Sequence, residues 1–109
     1  SISKLWNLET LIVNGSLRRM KLPNDIWKMV KLRHLYTWGF IKIPCVLDDG
    51  YPFILGNLQT VYGLEFSGED EDVLARIPNL RKLKCRPLST WFPKMYFLVH
   101  LETLGVTHR

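Results

Sequence analysis

A chain of 109 residues has room for one compact domain, and 47% apolar against 23% charged residues excludes a disordered or low-complexity segment. Fifteen Lys and Arg stand against ten Asp and Glu, a formal net charge of +5 that raises nucleic acid and acidic protein as partner classes. No apolar run approaches the roughly 18 residues a membrane-spanning helix needs, and residues 1–11 lack the basic start and apolar centre of a signal peptide.

The first segment carries Asn-Leu-Glu-Thr-Leu at 7–11, which predicts a strand over 10–14 and then a turn at Asn14-Gly15. Asn14-Gly15-Ser16 is also a glycosylation acceptor triplet, though Asn-Gly just after a strand is accounted for by turn chemistry. From Leu22 the apolar positions Leu22, Ile26, Met29, Leu32 and Leu35 keep a three-to-four spacing. Pro23 stiffens the start of this stretch, and Asn24 or Asp25 can bond local backbone, so a turn is predicted before Ile26. After Leu32 the strand-favouring Tyr36, Thr37 and Trp38 predict a short strand. The return over 39–50, with Ile41, Ile43, Pro44, Val46 and Leu47 before Asp48 and Asp49, is longer and less regular. A third strand is predicted over 60–64, where Gly63 replaces the usual aliphatic and should weaken one inward contact. Glu69, Asp70, Glu71 and Asp72 precede Val73, Leu74 and Ile77, as suits the first turn of a short helix, whose positive dipole end favours carboxylates. Strands over 82–86 and 103–107 complete the order, with Trp91, Phe92, Met95 and Leu98 supplying the convex layer between them.

These segments superpose without gaps. Asn-Leu-Glu-Thr-Leu at 7–11, Lys-Leu-Arg-His-Leu at 31–35, Asn-Leu-Gln-Thr-Val at 57–61, Asn-Leu-Arg-Lys-Leu at 79–83 and His-Leu-Glu-Thr-Leu at 100–104 begin on Leu8, Leu32, Leu58, Leu80 and Leu101. The intervals are 24, 26, 22 and 21 residues, within the leucine-rich-repeat range and outside those of tetratricopeptide and ankyrin units. Leu5, Met29, Leu55, Ile77 and Leu98 stand three residues upstream of each. The predicted architecture is an α/β solenoid of about five leucine-rich repeats, with a parallel concave sheet and an irregular, short-helical convex side. One strand and one return segment cannot bury their own leucines, so stability comes from stacking. Residues 1–109 read as a single such segment, and since neither end looks like a polar cap, as an uncapped excerpt of a longer array.

Cys45 and Cys85 form no metal-spaced set and require no disulfide, a pattern that suits a reducing compartment. Cys85 aligns with Val13 and Val106 and reads as a buried small hydrophobe. His34, His100 and His108 lack metal spacing, and no Cys or carboxylate is placed to form a nucleophile pair with them. No catalytic residue, metal ligand or cofactor is expected.

Residues alternating with the buried leucines should face the concave surface. They are Thr10, Ile12 and Asn14; His34, Tyr36 and Trp38; Thr60, Tyr62 and Leu64; Lys82, Lys84 and Arg86; Thr103, Gly105 and Thr107. Tyr36, Trp38 and Tyr62 form an aromatic block beside the basic block Lys82, Lys84 and Arg86, a mixture enriched in binding hot spots. With His34 these are the candidate protein-binding residues, although such residues also serve strand propensity and solubility. No nucleic-acid reading module is present, and the acidic segments 48–49 and 69–72 break up the positive field, so an acidic protein surface is the expected partner.

The stretch Leu-Pro-Asn-Asp-Ile-Trp-Lys-Met-Val-Lys-Leu-Arg-His-Leu at 22–35 resembles the repeat of plant intracellular nucleotide-binding leucine-rich-repeat immune receptors of the coiled-coil class, in particular the late-blight resistance type of nightshade-family plants. Residues 5–13 and 78–83 resemble other repeats of those receptors, so the likeness covers essentially the whole chain. It implies a cytoplasmic, non-enzymatic segment that senses pathogen effectors and restrains the receptor's own nucleotide-binding module, with a hypersensitive response as output. It implies three kinds of protein partner: that module, a pathogen effector or a host target. There is no phosphate-binding loop, so the ATP/ADP switch of such receptors would lie elsewhere in the parent protein. Arg76-Ile77-Pro78 lacks the glycine of the extracellular Leu-x-Gly-x-Ile-Pro signature. A substrate-recognition array of a ubiquitin-ligase adaptor and a structural spacer remain as alternatives.

Overall fold

The computed structural model describes residues 6–14, 22, 24–43, 54–66, 71–87, 95–96 and 98–107. The leucine-x-x-leucine step is a closed turn. Leu32 donates its N–H to the Met29 carbonyl at 3.0 Å, and the same bond recurs from Leu58 to Leu55 (3.3 Å), Leu80 to Ile77 (3.4 Å) and Leu101 to Leu98 (3.1 Å). Each turn aims both of its apolar side chains inward: Met29, Leu32, Leu55, Leu58, Ile77 and Leu80 are fully buried. A three-residue spacing that could have belonged to one helical face thus closes the turn that launches a strand in four of the repeats.

There are five strands, the last four of which follow these turns: β1 (Thr10–Asn14), β2 (His34–Ile41), β3 (Thr60–Phe66), β4 (Lys82–Pro87) and β5 (Thr103–Val106). They form one parallel sheet in sequence order. At every step one carbonyl accepts two N–H groups from the next repeat. The Glu9 carbonyl takes Arg33 and His34, that of Arg33 takes Gln59 and Thr60, that of Gln59 takes Arg81 and Lys82, and that of Arg81 takes Glu102 and Thr103. Asparagine side chains add a second ladder beside it. Asn57 donates Nδ2–H to the Val30 carbonyl at 3.0 Å and Asn79 to that of Gly56 at 2.8 Å. The asparagines before Leu58 and Leu80 therefore fix the stacking of turns and satisfy carbonyls the sheet does not reach.

Parallel neighbours need a crossover, and the described parts of the crossovers before β2 and before β4 form a second layer. A short 3-10 helix (Asn24–Lys28) buries Ile26 and Trp27, and helix α1 (Glu71–Ala75) buries Val73 and Leu74 against the same core. The turn predicted before Ile26 is this 3-10 helix, and α1 lies where the acidic run predicted a helix. Arg76 links the two returns: its guanidinium lies 5.7 Å from the Trp27 ring centroid and its carbonyl accepts the Leu55 N–H at 2.9 Å. Among the described residues no helix is long and apolar enough to cross a membrane.

The predicted strands appear where expected, with a register shift between β2 and β3 beyond Tyr36 and another between β3 and β4. Gly63, in β3, has φ of 101°, and the register slips there: Tyr62 pairs with Lys84, but Leu64 pairs with Cys85. The extra residue is a β-bulge, and beyond it inward and outward positions exchange. Leu64, expected on the concave face, is therefore fully buried, and Glu65 takes the outward, though largely covered, position. Gly63 is not a weakened contact either. A Cβ on it would lie 2.0 Å from the Thr37 carbonyl oxygen, and the buried Thr37 hydroxyl donates to the Gly63 carbonyl at 2.7 Å. Thr60 is likewise buried rather than solvent-facing, because the His34 ring leans onto it. The glycosylation triplet beyond Asn14, Cys45, the acidic pair at 48–49, Glu69 and Asp70, Trp91, Phe92 and His108 lie outside the described residues.

Candidate functional site

The face expected to be concave is built by β-strand alternation, so its rows follow from the register. Ile12, Tyr36, Tyr62, Lys84 and Gly105 occupy equivalent positions on the five strands and form one row across the sheet. The Tyr36 and Tyr62 rings meet edge to face with centroids 5.5 Å apart. Lys84 places Nζ 4.6 Å from the Tyr62 centroid, a cation–π contact that leaves its ammonium at the surface. His34 stacks on Tyr36 at 6.4 Å, and its Nδ1 lies 3.0 Å from the Thr60 hydroxyl oxygen. Five of the seven predicted residues, His34, Tyr36, Tyr62, Lys82 and Lys84, thus stand on adjoining positions of β2, β3 and β4.

Trp38 joins them from further along β2, paired in register with Asn14 and 65% exposed. Ile12 is 63% exposed beside Tyr36. Sequence reasoning placed Ile12 on this face but not in the site. An isoleucine in register with a tyrosine that adjoins a second tyrosine was the available signal.

Arg86 differs from the other basic residues. It donates to the Glu65 carboxylate, and both side chains are mostly covered. The bulge at Gly63 is the cause, since it brings Glu65 into register with Arg86. Arg86 is therefore a structural tie across β3 and β4, and the open positive charge of the face rests on Lys82 and Lys84. Glu65 was not predicted; a glycine inside a strand pattern was the one clue to a bulge and its phase change.

Along the rim formed by the residue after each first leucine, Glu9 pairs with Arg33 at 3.1 Å and Arg81 with Glu102 at 3.0 Å. The rim is charge-compensated while the face is not. Beneath the face, Cys85 is buried, and burial pushes its thiol up to about 11, which disfavours the reactive thiolate. Among the described residues no three His, Cys, Asp or Glu side chains gather as a metal site would require.

A parallel sheet whose strands follow one repeated turn and present an aromatic and basic surface defines a repeat segment with an open, chemically distinct face. No family model matches the chain. It is 41% identical, over 95% of its length, to late blight resistance protein R1-A of Solanum demissum, of which it covers 9%. Two putative late blight resistance protein homologues of the same species are 41% and 39% identical over 95% and 100% of the chain, which covers 15% and 10% of them. The chain belongs to the late blight resistance protein family, as the counterpart of one segment of its much longer members. These relatives are named as disease-resistance proteins.

Proposed function

We propose that the chain is a leucine-rich-repeat solenoid segment of a cytoplasmic plant resistance receptor, and that it recognises protein through its concave face without catalysing a reaction. The observation that carries this reading is the row Ile12, Tyr36, Tyr62 and Lys84, reinforced by exposed Trp38. These are large side chains held in fixed register on a rigid sheet. A face that served only as a spacer would gain nothing from a 65%-exposed tryptophan.

In this role the face holds the receptor's own nucleotide-binding module in its inactive arrangement until a pathogen effector, or a host protein altered by one, changes the contact. Resistance-protein relatives support this reading, and so does the positive charge of Lys82 and Lys84, which no acid among the described residues opposes. A buried aromatic anchor carries about 2 kcal/mol or more of an interface, about thirtyfold in affinity. Trp38→Ala with Tyr62→Ala in the parent receptor is therefore expected either to give cell death without pathogen or to abolish recognition, at normal protein abundance. Wild-type silence and wild-type signalling in the double variant would remove the concave face from recognition.

A further inference from the structure

The two halves of the concave face differ in chemistry, and together they define what can lie on it. Ile12, Tyr36 and Trp38 supply an apolar half on β1 and β2, and Lys82 and Lys84 supply a basic half on β4. Gly105 completes the row at β5: a Cβ there would lie 3.1 Å from Cγ of Lys84, so the glycine leaves room for the lysine stem. The stem then leans back until its ammonium covers Tyr62. Among the described concave residues the carboxylate is Glu65, and Arg86 engages it. No described acid opposes Lys82 or Lys84.

A ligand that covered these two ammonium groups without supplying negative charge would bury unpaired cations, which is strongly unfavourable. A ligand with charge alone would leave Ile12 and Trp38 wet. Resting on the concave-face reading, we infer that the occupant is a short acidic protein segment lying across the strands. It sets an apolar or aromatic side chain against Ile12, Tyr36 and Trp38, and a carboxylate at Lys84 and Lys82. Tyr36 and Lys84 are separated by two inter-strand gaps, roughly 10 Å at about 4.8 Å each. In an extended segment alternate side chains share a face and rise about 3.3 Å per residue, so anchor and acid stand two or four residues apart. A nucleic acid meets this face less well, since its evenly spaced phosphates would find two lysines on one strand and apolar surface on two others.

The test is selection of random 12-residue peptides on the 109-residue chain, followed by titration of a selected peptide and of a 20-nucleotide single strand. The expected consensus has Asp or Glu two or four residues from an aromatic or aliphatic residue. Lys82→Gln with Lys84→Gln should weaken that peptide about tenfold or more, as should Trp38→Ala, with circular dichroism unchanged. Lys82→Glu with Lys84→Glu should recover affinity for the peptide whose acids are replaced by Lys. An acid-free consensus that Trp38→Ala still weakens would overturn the acidic partner and leave the concave face as the site. A consensus indifferent to all of these variants would overturn the concave-face reading itself. No consensus, or tighter binding of the single strand, would overturn the proposed occupant.

Discussion

The inner strands and the outer strands carry the same five-residue motif and have different fates. Leu35, Val61 and Leu83 on β2, β3 and β4 are fully buried, whereas Leu11 on β1 is half-buried and Leu104 on β5 is 43% exposed, although all five share one register column. The next column repeats the contrast, with Leu32, Leu58 and Leu80 sealed and Leu8 and Leu101 part-covered. In a stacked sheet burial belongs to the neighbour rather than to the residue. The value of each leucine is set by whether strands lie on both sides of it, which makes stability a sum over interfaces.

The sharpest way to break this comparison is to place one substitution at both kinds of position. Leu35→Asp should cost more than the roughly 2–5 kcal/mol of a core leucine truncation, because the carboxylate also loses its hydration. In the 109-residue chain taken by itself, Leu104→Asp keeps solvent on one side and should cost a small fraction of that, and a further strand beside β5 would raise the cost. Thermal or denaturant unfolding followed by circular dichroism measures the difference. Equal losses at the two sites would show that the flanking strands do not set what each leucine contributes.

Gly63 and Gly56 give the next contrast. At Gly63 a methyl group would meet the Thr37 backbone and be held at positive φ, so Gly63→Ala should cost about 1–3 kcal/mol in strain, with the collision in addition. Gly56 lies at a turn tip where a Cβ would first meet Asn79 Nδ2 at 3.9 Å, and Gly56→Ala should be nearly neutral. Urea midpoints of the two variants decide this. A neutral Gly63→Ala would mean that the bulge does not govern the sheet.

The same glycine marks where sequence reading succeeded and where it ended. Five strands, their order of turns and the inward leucines were legible because the leucine-x-x-leucine step is a local hydrogen-bonded turn that repeats. Local geometry leaves a periodic trace. The aromatic row was legible for the same reason, since Tyr36 and Tyr62 stand at equal distances from Leu32 and Leu58. The burial of Leu64 and the Glu65–Arg86 tie were not legible. They depend on one inserted residue that reverses the alternation, and on Thr37 of the neighbouring strand presenting its hydroxyl to Gly63. A period-two pattern carries no signal for a change of phase caused by another strand. Glycine at 63 indicated an irregularity but not its direction.

The smallest contrast concerns two of the ion pairs between neighbouring repeats. Arg86–Glu65, created by the bulge, has side chains 19% and 16% exposed, and Arg81–Glu102 on the rim has side chains 56% and 57% exposed. A charged hydrogen bond in the covered site contributes about 1.5–3 kcal/mol, and water and salt screen it little. On the rim, solvent competes for both groups and two long side chains lose rotamer freedom, leaving about 0.2–1 kcal/mol. Glu65→Gln should therefore lower stability by about 2 kcal/mol with little dependence on salt. Glu102→Gln should lower it by less than about 1 kcal/mol, and that loss should fade as salt rises from 0.05 to about 0.5 M, where the screening length falls below roughly 5 Å. Denaturant titrations of both variants and the parent chain at the two salt concentrations give the four differences required. If Glu102→Gln cost as much as Glu65→Gln, or if the Glu65→Gln loss vanished in salt, the rim and the interior would be electrostatically alike, and Arg86 would return to the open basic face beside Lys82 and Lys84.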